Sequence, residues 1–493
     1  MPVPIKKTTL KILIINPAHK SIGSRMAKEH LPPLGLLSIA GPIIDSRYDV
    51  SLLDADYSNL SVKKTVEESK KMAPNIILMG HSGSTSAQPA INELSIKLKE
   101  SIKNLIIIIG GVFPTYHWKE IMENQSCIDF IVCGEGEQVT LDLINAISNQ
   151  QAVEKVDGIV FRDYKEIIKT KTAKIIDNLD DYRIAWELMN GYNYTYWGKK
   201  IAVVLQFSRG CPYPCNYCGQ SLFWRKWRNR NPQKLADEIE MLHREYGVKV
   251  INFADENPST NKAAWKELLE AIIEKNLDLI LVGSIRADNV VRDEGHLHLY
   301  KKAGFERLLL GIENYSEVIL EKIRKSGSKA KDQRAIELLR KHDILSMATY
   351  VVGFGEESIT DFYSSLRQLL AYDPDQVQIL YATPHKWTPY FKEIEHKTII
   401  QSDQQHWDYK HQILENPKLK PWQIFLLVKL IEVIMQARLK AIKRWLFHRD
   451  KRLRSAMFWY NNIGKSVWFF QLFQFFFVYK RPNTPLMLRD FWK

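Results

Sequence analysis

Three cysteines, Cys211, Cys215 and Cys218, lie within eight residues in the string SRGCPYPCNYCGQ, residues 208–220. Thiolates spaced Cys-x-x-x-Cys-x-x-Cys on one tight loop make a cup suited to a soft metal site. A [4Fe–4S] cluster normally takes four protein ligands, so three leave one iron open to a substrate or cofactor. Gly210 and Gly219 give the backbone room there, and Pro212 and Pro214 stiffen it. A structural zinc is the competing reading. It would need a fourth ligand such as Cys133 or a histidine, and paired Cys-x-x-Cys knuckles are missing. The chain has five cysteines, and with three in one loop they form no disulfide framework. Cys127 and Cys133 read as packed thiols, and a reducing compartment is expected.

The elements that must position this loop are strands. IAVVLQFS immediately precedes it, followed by VKVINFA, LILVGSI, RLLLGIE, MATYVVGF and QVQILYAT, with stretches long enough for helices between them. Six such units predict a parallel (β/α)6 partial barrel over residues 199–395, with chemistry at the carboxyl ends of its strands. Upstream, KILIIN, YDVSLLDA, NIILMG, LIIIIGG and DFIVCG alternate with amphipathic stretches, which predicts an α/β, doubly wound parallel sheet over residues 1–150. GHSGSTSA, GGVFPTYHW and CGEGE follow its strands, where such sheets bind ligands. Their glycines and small hydroxyl residues would let the backbone approach a large planar ligand. Residues 151–198 read as an irregular polar linker.

The 493 residues are 45% hydrophobic and 25% charged, which excludes a disordered, collagenous or coiled-coil chain. The net charge of +13 is confined to one end. Residues 418–493 carry 16 Lys or Arg and three acids, and the remainder balances at 53 of each. The signatures of common nucleic-acid modules are missing, so no nucleic-acid partner is expected. Residues 396–493 read as a mostly helical basic and aromatic region, and its 12-residue run VWFFQLFQFFFV is shorter than the roughly 20 apolar residues of a bilayer span. Three readings stay open for it: a helix that completes the core, a peripheral membrane contact through residues 418–493, or an apolar substrate wall. The apolar run before Asn16 and Pro17 is too short for a signal-peptide core, so a cytoplasmic protein is expected.

The cysteine spacing after the first strand of a six-unit barrel resembles the radical S-adenosylmethionine (radical SAM) enzymes, and the preceding domain resembles that of their cobalamin-binding subclass. PPLGLLSIA, GHSGSTSA, GGVFPTYHW, FWRKWRNRNP, ADENPSTN and YATPHKWTPYF resemble, more narrowly, the anaerobic magnesium-protoporphyrin IX monomethyl ester oxidative cyclases of chlorophyll biosynthesis.

The resemblance implies a [4Fe–4S] cluster on Cys211, Cys215 and Cys218, with S-adenosylmethionine held by Tyr217, Asp255, Glu256, Ser284, Arg286 and Glu313. Gly353 and Gly355 would leave room for the adenosine. Ala254-Asp255-Glu256 departs from the family's usual glycine-glycine-glutamate. Cobalamin would rest on Ser82, Ser84, Thr85, Ser86, Gly110, Gly111, Gly134, Glu135 and Gly136. The Asp-x-His-x-x-Gly string that supplies a cobalt ligand elsewhere does not occur, which leaves His19 and His81 as positional candidates or no histidine ligand at all.

The implied reaction is abstraction of hydrogen by a 5′-deoxyadenosyl radical beside the porphyrin ring, further oxidation and capture of water, closing the isocyclic ring of protochlorophyllide. His385, Trp387 and Tyr390 are candidates for the tetrapyrrole wall or for barrel-closing packing. A one-electron donor such as ferredoxin or flavodoxin is implied as a partner. A cobalamin-dependent radical SAM methyltransferase, another tetrapyrrole-modifying enzyme and a non-catalytic cobalamin- or heme-binding regulator remain alternatives on the same scaffold.

Overall fold

The computed structural model describes residues 10–19, 29–80, 85–164, 166–478 and 486–492. Two compact units divide the chain: Met1–Ser21 with Pro32–Asn193, and Ile22–Leu31 with Tyr194–Lys493.

In the first unit the apolar runs form β1 (Lys11–Asn16), β2 (Asp49–Asp54), β3 (Ile76–Met79), β4 (Ile106–Gly110) and β5 (Phe130–Val132), all parallel and ordered β2-β1-β3-β4-β5. Helices cover a sheet of this kind on both faces, which is why β3 is apolar and buried at every position. The order reverses between β1 and β3, so the loops after these two strands diverge and leave a crevice at the carboxyl edge. The expected linker needs correction. Within residues 151–198, β6 (Ile159–Asp163) pairs antiparallel with β5, and β7 (Glu166–Lys169) antiparallel with β6, extending the same sheet. Their short runs, broken by charged residues, gave no clear strand period.

The second unit begins with β8 (Thr195–Tyr196) and β9 (Lys200–Leu205). A small antiparallel pair, β10 (Ser208–Arg209) and β11 (Arg228–Asn229), then brackets the cysteine loop. β12 (Val250–Phe253), β13 (Ile280–Ile285), β14 (Phe305–Glu313), β15 (Leu345–Val352) and β16 (Gln376–Tyr381) complete a sheet ordered β16-β15-β14-β13-β12-β9-β8. Six parallel strands in sequential order curl into a half-barrel, and its two edges, β16 and β8, are left unjoined by backbone pairing.

The C-terminal helices fill that gap. Leu453, Ala456 and Met457, on the helix Lys451–Phe473, pack with Ala202, Val250, Ile280 and Leu345 at the amino ends of the strands. Complete burial of Leu453 alone contributes about 1.5–3 kcal/mol. Farther along the same helix, Trp459 packs against Tyr196 and Trp197 at the β8 edge, with ring centroids 5.6 and 5.1 Å apart. Tyr460 donates to the carbonyl of Val377 on β16, 3.2 Å away. The amino-terminal half of this helix therefore completes the core, whereas Phe469, Phe470 and Phe473 in its aromatic run are exposed. Among the described residues no helix is long and apolar enough to cross a membrane.

Candidate active site

The cysteine loop leaves β9 through a sharp turn at Gly210 (φ +93°), where a Cβ would stand 2.7 Å from the carbonyl oxygen of Lys226, so only glycine fits. Cys211, Cys215 and Cys218 are half-buried on this loop. Burial pushes the Cys211 thiol up to about 11 and raises Cys215 as well. Buried thiolates are stable only beside positive charge, which a bound iron–sulfur cluster supplies on ligation. Among the described residues no three His, Cys, Asp or Glu side chains converge on a single ion, as a structural zinc requires. Three thiolates on a cluster each bind a different iron.

The family-like motifs meet around this loop. Asp255 accepts hydrogen bonds from the amides of Phe207 (3.1 Å) and Ser208 (2.5 Å) and from the Ser208 hydroxyl (2.6 Å). Burial raises its carboxyl to about 7. Glu256 accepts from Trp224 Nε1 (2.7 Å) and the Gly210 amide (3.3 Å), and Trp227 Nε1 donates to Asn257 O at 3.2 Å. FWRKWRNRNP and ADENPSTN thus lock together and fix the loop between them. The geometry corrects the expectation for Asp255. With both oxygens committed to Phe207 and Ser208, it positions the loop instead of reaching toward a ligand.

On the other side of the loop, burial and then Glu313 raise the Tyr217 hydroxyl well above its usual range, and its ring meets Phe354 edge-on at 4.9 Å. Glu313 lies past a register shift in β14 with φ at +67°, a strained conformation for a side-chain-bearing residue, and pairs with Lys325 at 3.3 Å. Arg286 stands over the Tyr213 ring (3.5 Å), pairs with Asp288 (2.9 Å) and donates to the carbonyl of Ser326. Gly353 ends β15 with φ at +96°, its amide donating to Glu357 at 2.8 Å. A Cβ on Gly355 would stand 3.2 Å from Ile319. Tyr217, Arg286 and Glu313 thus fall among the groups surrounding the cysteines, since Arg286, Lys325 and Glu313 all act electrostatically on Cys215.

His385 and Tyr390 require correction as substrate-wall residues. Tyr390 is 1% exposed within the apolar cluster that holds Phe354, Phe391 and Trp407, and its amide donates to Asn216 O (3.0 Å). His385 is 2% exposed, hydrogen-bonded to the Tyr409 hydroxyl (2.5 Å) and stacked on Trp387, and burial lowers it to about 4. Trp387 donates to Gly219 O at 3.1 Å. YATPHKWTPYF therefore braces the cysteine loop from behind, the barrel-closing alternative.

The barrel holds a cavity of about 580 Å³. It extends from Ala254, Asp255 and Ser284 at the strand ends, past Arg307 on β14 and Lys410, to the C-terminal helices at Lys429 and Trp468. Sequence reading missed both Arg307 and Lys410. A cation at the start of the apolar run Leu308–Leu310 of β14 was the available signal for Arg307, and Lys410 lay in a segment with no periodicity.

In the first unit, Gly111 (φ +105°) and Gly134 (φ +85°) follow β4 and β5, and Thr115 joins their loops, accepting from the Gly134 amide (2.9 Å) and donating to Gly111 O (2.7 Å). Nothing lies within 4 Å of where a Gly134 Cβ would stand, and Gly110 and Gly136 flank the same edge. A side chain at Gly134 would enter that open space, which fits a broad planar ligand resting on the backbone. Thr85 and Ser86 are buried, and His19 is half-buried after β1. Glu135 is also buried and accepts from the Ile176 amide at 2.9 Å, so it ties down that segment. His81, Ser82 and Ser84 lie outside the described residues.

Residues 22–144 match the B12 binding domain and residues 205–369 the Radical SAM superfamily. The anaerobic magnesium-protoporphyrin IX monomethyl ester cyclase of a Synechocystis species is 50% identical over 98% of this chain and 97% of its own length. The protein of the same name from Cereibacter sphaeroides is 30% identical over 89% of this chain and 71% of its own. Among solved structures, the cobalamin-dependent S-adenosylmethionine radical enzyme OxsB, with aqua-cobalamin and S-adenosylmethionine bound, superposes with a TM-score of 0.70 at 17% identity, over 94% of this chain and 72% of that one. The fold is thus that of a cobalamin-dependent radical SAM enzyme, with [4Fe–4S], S-adenosylmethionine and cobalamin as its cofactors. With a near full-length relative at half identity and both domains matched, the chain belongs to the family of anaerobic magnesium-protoporphyrin IX monomethyl ester cyclases.

Proposed function

We propose that the chain oxidatively cyclises magnesium-protoporphyrin IX monomethyl ester to protochlorophyllide in chlorophyll or bacteriochlorophyll biosynthesis, with the keto oxygen drawn from water. The 50% identity to the Synechocystis cyclase, over an alignment that covers 98% of the chain, carries this reading, because that alignment spans the cysteine loop and the motifs locked around it. When bound, the cluster with S-adenosylmethionine supplies a hydrogen-abstracting radical and cobalamin a further redox-active centre. The protein's own part is placement. Asp255 and Glu256 hold the loop, Tyr217, Ser284, Arg286 and Glu313 present polar groups to S-adenosylmethionine, and the cavity receives the tetrapyrrole. The Gly110-Gly111 and Gly134-Glu135-Gly136 turns, with Thr85 and Ser86, carry the corrin, and a ferredoxin or flavodoxin delivers single electrons.

The reading extends to the membrane surface. Phe469, Phe470, Phe473, Phe476 and Phe477 are each more than half exposed, and Leu430 and Val433 are exposed as well, in a region holding all of the excess positive charge. Such a basic, aromatic face suits an anionic bilayer surface, where an apolar magnesium porphyrin ester partitions. The protein is then cytoplasmic with peripheral contact through residues 418–493.

The test is anaerobic incubation of the reconstituted enzyme with magnesium-protoporphyrin IX monomethyl ester and a reductant, with products resolved by chromatography. Protochlorophyllide should form with the wild-type chain and be absent with Cys215→Ala. A methylated porphyrin in its place would transfer the chain to the methyltransferase alternative.

A further inference from the structure

The barrel cavity is lined by more cations than its carboxylates can balance. Arg307, Lys410, Lys429 and Lys465 face it, against Asp255 and Glu432. Asp255 is committed to Phe207 and Ser208, and Glu432 pairs with Lys429 at 2.7 Å. Lys465 is exposed. That leaves two inner cations. Arg307 is 6% exposed, donates to the Tyr196 hydroxyl (3.3 Å) and stands 4.8 Å from the Trp197 ring centroid, while its Nε is buried with no hydrogen-bond partner. The Lys410 ammonium donates to Ile379 O (3.3 Å). Neither has a carboxylate within ion-pair distance among the described residues.

Burying a cation without an ion-paired counter-anion is unfavourable, and two lining one cavity are more so. An anionic ligand group removes that imbalance, and the guanidinium fork can bind a carboxylate with parallel hydrogen bonds. Phe253, Leu309, Met347, Trp468 and Phe469 give the lining its apolar surface, beside the amides of Asn252, Gln378, Gln436 and Gln471. S-adenosylmethionine has a carboxylate too, but the cations that act on the cysteines are Arg286 and Lys325.

We propose that Arg307 and Lys410 form a carboxylate anchor for a large, flat, apolar acid in the barrel cavity. The inference rests on the cyclase reading and deepens it: the anchored group is the free propionate of the monomethyl ester, and the anchor orients the esterified side chain toward the strand ends. Arg307 and Lys410 are thus specificity-determining residues.

The test uses the cofactor-loaded full-length protein, titrated anaerobically with magnesium-protoporphyrin IX monomethyl ester and with the dimethyl ester, which lacks the free acid, and followed by porphyrin fluorescence. The wild-type chain should prefer the monoester by about tenfold to a hundredfold, the range of a lost charged hydrogen bond. Arg307→Met with Lys410→Met should abolish the preference by weakening only the monoester, and Arg307→Lys should keep part of it. Equal wild-type affinity for the two esters would overturn the anchor and leave the cyclase reading standing. Discrimination that survives in the folded double variant, checked by circular dichroism and iron content, would also overturn it. Binding of neither ester would count against both the anchor and the cyclase reading.

Discussion

Trp459 and Tyr460 are consecutive residues of one helix, yet they engage opposite edges of the barrel sheet. The Trp459 ring packs on Tyr196 and Trp197 at the β8 edge, and the Tyr460 hydroxyl bonds Val377 O on β16. The two side chains therefore act as a clasp across the gap that the six strands leave open.

Opening the clasp should destabilise the second unit. Trp459→Ala removes a half-buried ring and should lower unfolding free energy by about 2 kcal/mol, and Tyr460→Phe by about 1 kcal/mol. Urea unfolding followed by tryptophan fluorescence measures both. Values near zero would mean that the helix is not held at the sheet edges.

Asp255→Asn should lower cluster occupancy without unfolding the barrel. The amide keeps one acceptor but turns a donor toward the Phe207 and Ser208 amides, which disturbs the loop bearing the cysteines. Iron per chain after anaerobic reconstitution should fall at least severalfold, while thermal unfolding shifts by a few degrees only. Full iron loading would refute the positioning role.

Acid should loosen the tail through Asp373. Burial alone would raise this carboxyl, but hydrogen bonds from Arg444 and Arg438 outweigh it and hold it at about 2. The unfolded value is about 3.9, so the stabilisation is complete above roughly pH 4 and is lost as pH falls toward 2. Near-ultraviolet circular dichroism should show Asp373→Asn less stable than wild type at neutral pH, with the difference shrinking across that window. A constant difference would assign the effect to something other than these ion pairs.

Gly134→Val should reduce cobalamin retention after desalting. The substitution puts a branched side chain at φ +85° and into the open space at the sheet edge. Visible absorption of the corrin should fall several times, while iron content stays at the wild-type level. Unchanged corrin absorption would remove this turn from the site.

Co-sedimentation with anionic vesicles tests the exposed aromatic face. Binding should be strong at low salt and fall as salt rises, since each basic residue near the surface contributes about 1 kcal/mol and is screened within a Debye length. Phe473→Ser with Phe477→Ser should weaken it without affecting folding, because both rings are exposed. Equal binding by the variant would assign the contact to charge alone.

The strand pattern, the partial barrel and the cysteine loop were legible in the sequence because each is written in local signals, namely apolar runs of strand length and thiols at fixed spacing. β6 and β7 were not, since the pairing of β6 with β5 and of β7 with β6 compensates for runs too short and too charged to stand out. Residue type also misled where direction mattered. Asp255, His385 and Tyr390 are of types that bind ligands, but the chain turns them inward to brace the cysteine loop, and spacing carries no record of that. Arg307 and Lys410 are 103 residues apart, so their common cavity exists only in the folded barrel.

The clasp also sets an order of events during synthesis. Tyr460 follows its partner Val377 by 83 residues, and Trp459 comes later still relative to Tyr196. As the ribosome proceeds from the amino end, all six barrel strands and the three loop cysteines Cys211, Cys215 and Cys218 are made before the helix that closes the gap. The nascent barrel thus has two exposed edge strands and an uncovered interior until the helix Lys451–Phe473 has emerged, an interval in which edge-to-edge association competes with closure. Slow translation just before residue 451 would lengthen that interval, and a ribosome stalled there would hold a barrel that has its cluster ligands but lacks its closing wall.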